Sequence, residues 1–104
     1  MKKCLAAAVA ALLLVACNGE PDPRTLPPRV DRLQGRVVEQ IDSAPYSFFR
    51  IETADGPRWV ALPIGTAPRN GVLSVTQAAL VKNRRLPAAG RTLAAVYFAR
   101  PETN

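Results

Sequence analysis

The chain has 104 residues, 48% of them hydrophobic, with ten prolines, two cysteines, no histidine and a formal net charge of +6. A chain of this size fills one hydrophobic core, so one small domain is the upper limit. The absence of histidine removes the commonest general base and the commonest metal ligand, so neither enzymatic chemistry nor a cofactor is expected.

Met1, Lys2 and Lys3 form a short basic start, and Leu5 to Val15 is an unbroken apolar run of 11 residues. As a helix that run would be roughly 16 Å long, against a hydrocarbon core of about 30 Å, so it is too short for a stable span. A basic start followed by an apolar segment of this length is the pattern of a bacterial export signal. At its end stand Leu14, Val15, Ala16 and Cys17, which resemble the lipobox of bacterial lipoproteins at every position. That resemblance implies diacylglyceryl transfer to the Cys17 thiol and cleavage between Ala16 and Cys17. It also implies further acylation of the new α-amine. Anchoring through residue 17 then rests on two or three chains, since each buried methylene contributes about 0.8 kcal/mol and a single myristoyl chain is marginal. Asn18 follows the lipidated position. An aspartate there is the inner-membrane retention signal of enteric-type lipoproteins, so the resemblance implies the periplasmic face of the outer membrane.

Loss of residues 1–16 removes Met1, Cys4 and two lysines and brings the formal charge from +6 to +4. With Cys17 lipidated, the mature chain has no thiol for a disulfide and no methionine sulfur for a soft metal. No metal site is expected. The remaining charge is unevenly spread: residues 56–101 hold Arg58, Arg69, Lys82, Arg84, Arg85, Arg91 and Arg100 and no acid.

Residues 17–30, the lipidated cysteine and a proline-rich stretch (NGEPDPRTLPPR over Asn18 to Arg29), read as a tether with polyproline character. Twelve such residues reach roughly 37 Å, enough to hold a domain clear of the bilayer. The domain itself is expected over residues 31–100. Leu33 to Ile41 reads as a first strand with Leu33, Gly35, Val37 and Ile41 on one face, where Glu39 spoils the alternation. Either Gly35 or the pair Val37-Val38 marks a bulge. Tyr46 to Thr53 alternates Phe49 and Ile51 against Arg50 and Glu52, Asp55-Gly56 is a turn pair, and Arg58 to Leu62 follows, which makes a hairpin. Pro63 ends it. Asn70-Gly71 turns into a strand at Val72 to Thr76, and Thr76 to Asn83 is too short an apolar run for periodicity to separate helix from strand. Leu86 to Gly90 is a loop, and Thr92 to Ala99 closes the domain. Five short strands without a long helix predict an all-β fold, a small five-stranded barrel, with Val37, Ile41, Phe49, Ile51, Val60, Leu62, Val75, Val96 and Phe98 in its core.

Gly35 to Asp42, Tyr46-Ser47-Phe48, Gly56, Trp59 to Pro63, Lys82-Asn83, Arg91-Thr92-Leu93 and Val96-Tyr97-Phe98 resemble a family of small exported OB-fold proteins of bacteria, over about 65 residues. The resemblance implies an OB-like barrel and, by fold analogy, nucleotide or nucleic-acid binding. Arg84 and Leu93 stand where that family has aromatics, so a stacking platform built on them is missing here. Trp59 reads as a core anchor, and Tyr46, Phe48, Tyr97 and Phe98 as packing of the barrel and its rim. Ser43, Ser47 and Ser74 have no histidine to activate them.

Two readings result. In the first, a monomeric, membrane-anchored module presents Lys82, Arg84, Arg85 and Arg91 to an anionic envelope component or an acidic protein partner, since arginine forks favour phosphate and carboxylate. In the second, the barrel binds nucleic acid or nucleotide through stacked aromatics and a positive groove. Export of the chain weighs against the second, so nucleic acid is not the expected partner.

Overall fold

The computed structural model describes residues 21–102. The expectations for the export signal, Cys17 and Asn18 lie outside the described residues. Within them, β1 (Arg29–Ser43), β2 (Tyr46–Thr53), β3 (Gly56–Pro63), β4 (Val72–Leu86) and β5 (Arg91–Pro101) close into a barrel in the order β1-β2-β3-β5-β4. The ladders are antiparallel except β3 with β5, which run parallel at Val60↔Tyr97 and Ala61↔Phe98. The fold is the all-β, five-stranded closed barrel that the strand spacing predicts.

The length of β1 closes the ring. Its first half pairs with β4, from Arg29↔Ala79 to Arg36↔Val72, and its second half with β2, from Arg36↔Glu52 to Ser43↔Tyr46. Between them the register shifts at Val37/Glu39, leaving Val38 as the extra, exposed residue of a bulge that bends the strand. Gly35 has a different duty: a Cβ there would collide with the Glu52 carbonyl, so glycine lets β2 approach β1 where the strand turns. The bulge also corrects one expectation. It shifts side-chain parity by one, so Ile41 faces away from Val37 and belongs to a second apolar cluster.

Two clusters divide the apolar residues. One joins Phe49, Ile51, Val60, Leu62, Leu73, Val75, Ala78 and Tyr97, with Leu33 and Val37 packed against them. It draws residues from every ladder of the ring and is the barrel interior. The other joins Phe48, Trp59, Ala61, Leu86, Leu93 and Val96, with Ile41, Tyr46 and Phe98 beside them. Phe48/Phe49, Val60/Ala61 and Val96/Tyr97 are sequence neighbours divided between the clusters. Alternation along a strand therefore puts the second cluster on the outer face of β2, β3 and β5.

β4 runs through the segment that periodicity left open, with a bulge between Thr76 and Ala79 and Gln77 at φ 54°. The proline-rich stretch departs from the extended tether of the sequence reading. Pro23–Thr25 is a single 3-10 turn capped by the Asp22 side chain, and Leu26 packs against the interior cluster. Tyr97 donates its hydroxyl proton to the Pro27 carbonyl at 2.6 Å, and the Leu80 amide donates to the Pro28 carbonyl at 2.9 Å. Burial holds the Tyr97 hydroxyl above its ordinary pKa, with Arg58 acting weakly the other way. Residues 21–28 thus lie against the barrel, beside the short β3-β5 ladder, because one leucine and one buried tyrosine give this stretch something to dock on.

Candidate functional site

The outer face of strands 2 and 3, framed by the 1-2 and 4-5 loops, is where OB-like barrels take ligands. Here Ile41, Phe48, Ala61 and Phe98 form one row across β1, β2, β3 and β5 through consecutive pairings. Tyr46 meets Phe98 edge-on at 4.9 Å, and Phe48 meets Phe98 edge-on at 6.0 Å, the arrangement that ring quadrupoles favour. Next along the sheet, Glu39, Arg50 and Trp59 are successive cross-strand partners.

This face is covered by the chain itself. The ends of β4 and β5 extend past the parallel ladder as a hairpin, turned by Pro87–Ala89 with Gly90 in the left-handed region at φ 66°. Leu86 and Leu93 of the hairpin pack into the outer cluster. The Arg84 guanidinium carbon lies 5.4 Å from the Phe98 ring centroid, 5.8 Å from Tyr46 and 6.0 Å from Phe48. Its buried Nε has no hydrogen-bond partner, and the faces of those three rings are its electrostatic surroundings. Arg91 donates from Nη1 to Glu39 Oε2 and sits 5.3 Å from the Trp59 ring. Glu39 is shared, since its other oxygen lies 3.6 Å from Arg50 Nε.

The four basic residues singled out from the sequence therefore do not form one cradle. Arg84 and Arg91 turn onto the aromatic face and Glu39. Lys82 and Arg85 are exposed, and neither has an ion pair among the described residues. Strand alternation explains the division between Arg84 and Arg85, which are neighbours on β4 and leave it on opposite sides. Lys82 pairs across the ladder with Ala95 of β5, which borders the hollow where Pro21 sits. The Asp22 carboxyl is held below its ordinary value, first by the hydrogen bonds from Arg24.

Pro21 and Leu26 share a shallow hollow with Pro57, Arg58, Trp59 and Ala94. Arg24, Arg58 and Lys82 thus surround the place where the chain enters the described domain. Sequence reasoning had not gathered these three, because 24, 58 and 82 are far apart in the chain. A second groove of about 300 Å³ lies between Arg32, Arg69, Thr66 and Glu102. Arg32 is spent there on Glu102, at 3.0 Å. Among the described residues no group of three or more acids, cysteines or histidines is placed to hold a metal ion.

Comparison with family models, with curated proteins and with solved structures gives no match for this chain.

Proposed function

We propose that this chain is a lipid-anchored, non-catalytic binding module of the bacterial envelope, attached through Cys17 to the periplasmic face of the outer membrane and recognising an anionic envelope component. The observation that carries the reading is that Lys82 and Arg85 of β4 are each exposed, in a half of the chain with seven bases and no acid between residues 56 and 101. The burial of Phe48 and Trp59 under the hairpin supports it over nucleic-acid binding, which needs aromatic faces open for stacking.

Two measurements test it. Cys17→Ala in the full chain is expected to abolish palmitate labelling and leave an unprocessed precursor, and undiminished labelling would sink the anchor. Pull-down from detergent-solubilised envelopes is expected to recover an anionic partner that is lost at high salt, where the Debye length falls from about 8 Å to about 3 Å at 1 M. The same partner should be lost from a Lys82→Ser/Arg85→Ser variant. Equal recovery by parent and variant would show that these two cations only meet solvent.

A further inference from the structure

Alternation sends Gln34 and Ser74 to the outside of the barrel, because their neighbours Leu33, Leu73 and Val75 belong to the interior. The two are direct partners across the β1-β4 ladder and form the floor of the groove of about 300 Å³. One wall is the end of β5, where the Glu102 amide donates to the Ser74 carbonyl at 3.0 Å. The other wall is the β3-β4 loop. Thr66 closes back on the Pro63 carbonyl with its amide at 3.2 Å and its hydroxyl at 2.7 Å. Arg69 and Val72 exchange backbone hydrogen bonds of 2.9 Å around Asn70 and Gly71, whose φ values of 53° and 79° make the tight turn that suits an Asn-Gly pair. Backbone hydrogen bonds therefore fix both walls before any ligand arrives, which lowers the ordering cost of binding.

The side chains of the groove carry unused hydrogen-bonding capacity. Arg69 is exposed, and among the described residues neither its guanidinium nor the side chains of Gln34 and Ser74 have a partner. Arg32 donates from Nε to Glu102 Oε1 at 3.0 Å, which leaves Glu102 Oε2 as a free acceptor on the other wall. The lining thus holds two arginines against one glutamate. Of the charges nearby, Arg36 has Glu52 as its cross-strand partner, Asp31 leaves β1 on the side away from Arg32, and Arg100 stands one row off, beyond Thr76. Such a lining suits a ligand with one negative charge and a hydrogen-bond donor beside it, whereas a phosphate dianion would also face Glu102. At about 30 Å³ per water molecule the space holds about ten waters, enough for one or two small residues. Ala67, Val72 and Pro101 are the apolar part of the lining, so a small apolar side chain fits there.

We propose that this groove binds an α-carboxylate together with its neighbouring nitrogen, the group shared by a free amino acid and the carboxyl end of a peptide. Arg69 takes the carboxylate with its guanidinium fork, Gln34 and Ser74 meet the ligand from the floor, and Glu102 Oε2 accepts a proton from its nitrogen. Arg32 holds Glu102 through their ion pair and is a positioning residue. The inference goes beyond the envelope reading and does not depend on it, since neither Lys82 nor Arg85 lines the groove.

The test follows the backbone amide resonances of Gln34, Arg69, Ser74 and Glu102 by NMR in the full chain, purified in detergent, during titration with alanine, alanyl-alanine or alanyl-alaninamide. Alanine and alanyl-alanine are expected to shift these resonances and to saturate in the millimolar range. The amidated dipeptide lacks the carboxylate and should need at least about tenfold more. Earlier saturation by alanine assigns the groove to free amino acids and earlier saturation by alanyl-alanine to peptide ends, and either result sustains the proposal. With the rest of the spectrum unchanged, Arg69→Ala should weaken binding about tenfold or more. Arg29→Ala removes an exposed arginine of β1 that does not line the groove and should leave binding as it is. Glu102→Gln should weaken alanine and tighten inorganic phosphate. The absence of a saturating shift, an equal response to the free and amidated dipeptides, or undiminished binding by Arg69→Ala overturns the carboxylate site. Phosphate that binds the parent as tightly as alanyl-alanine, or alanine binding untouched by Glu102→Gln, overturns the nitrogen contact and with it the class of ligand.

Discussion

The two apolar clusters lie back to back on β2, β3 and β5, yet they are enclosed by different means. The interior cluster is surrounded by the ring of ladders, so exposing Phe49 or Val60 means breaking backbone hydrogen bonds around the barrel. The outer cluster is closed by a hairpin whose underside carries two leucines and two arginines. The contrast teaches that one sheet can serve a sealed core on one side and a separable cover on the other, and that charge is used only where the enclosure is not continuous backbone. In a free barrel of this topology the outer face would be open. Here Arg84 and Arg91 occupy it.

The largest expected effect tests the interior. Phe49 is fully buried, and truncating such an aromatic usually costs about 3–5 kcal/mol. A domain totals about 5–15 kcal/mol, so Phe49→Ala should leave little or no cooperative transition in urea. Phe48 is equally buried but lies under the hairpin, which can settle into the space left behind. Because the cost of a cavity depends on how far its walls collapse, Phe48→Ala should fall at or below the lower end of the same range. Equal losses would mean that the hairpin is as rigid as the ring, and the distinction between the clusters would fail.

The strands themselves were mostly legible. The alternation of Phe49 and Ile51 against Arg50 and Glu52 locates β2 at Tyr46–Thr53, and Asp55-Gly56 locates the hairpin, because side-chain period and turn chemistry are local properties. Glu39 announced a bulge, but the choice between Gly35 and Val37-Val38 depended on where the Glu52 carbonyl would lie, which is a tertiary fact. Ile41 takes the face opposite to the one that simple alternation predicts for the same reason, since one inserted residue inverts everything after it. The docking of residues 21–28 was not legible, because one leucine among prolines has no periodicity and its partner Tyr97 is 70 residues away. The basic residues were legible as a count but not as a site. Closeness in sequence suggested a shared loop, whereas β4 continues to Leu86 and sends Arg84 and Arg85 opposite ways.

The next effect separates those two arginines. Arg84→Ala removes a guanidinium held over three rings together with the stem that packs beneath it, and should cost about 1–2 kcal/mol in chemical denaturation. Arg85→Ala, at an exposed position, should stay within about 0.5 kcal/mol of the parent. The reverse order would place Arg85 rather than Arg84 in the cover and would overturn the description of the outer face.

The smallest expected effect concerns the other arginine of the cover. Arg91 reaches back to Glu39, whose second oxygen faces Arg50, so Glu39→Gln removes the charge that ties the hairpin to β1. The glutamate and arginine side chains are 36% and 42% exposed, and water therefore weakens the pair to about 0.2–1 kcal/mol. A loss of that size is close to the error of one denaturation curve, but its salt dependence has a distinctive sign. In the parent, raising salt from 0.1 to 1 M shortens the screening length from about 10 Å to about 3 Å and should remove most of the stabilisation. In Glu39→Gln the charge on one side is gone, so the same change of salt should leave the pair's contribution untouched. The difference in stability between parent and variant should shrink as salt rises, while the difference between parent and Phe48→Ala stays constant. If both differences stay constant, the hairpin is held by Leu86 and Leu93 alone, and the outer cluster is closed by packing of the same kind as the interior.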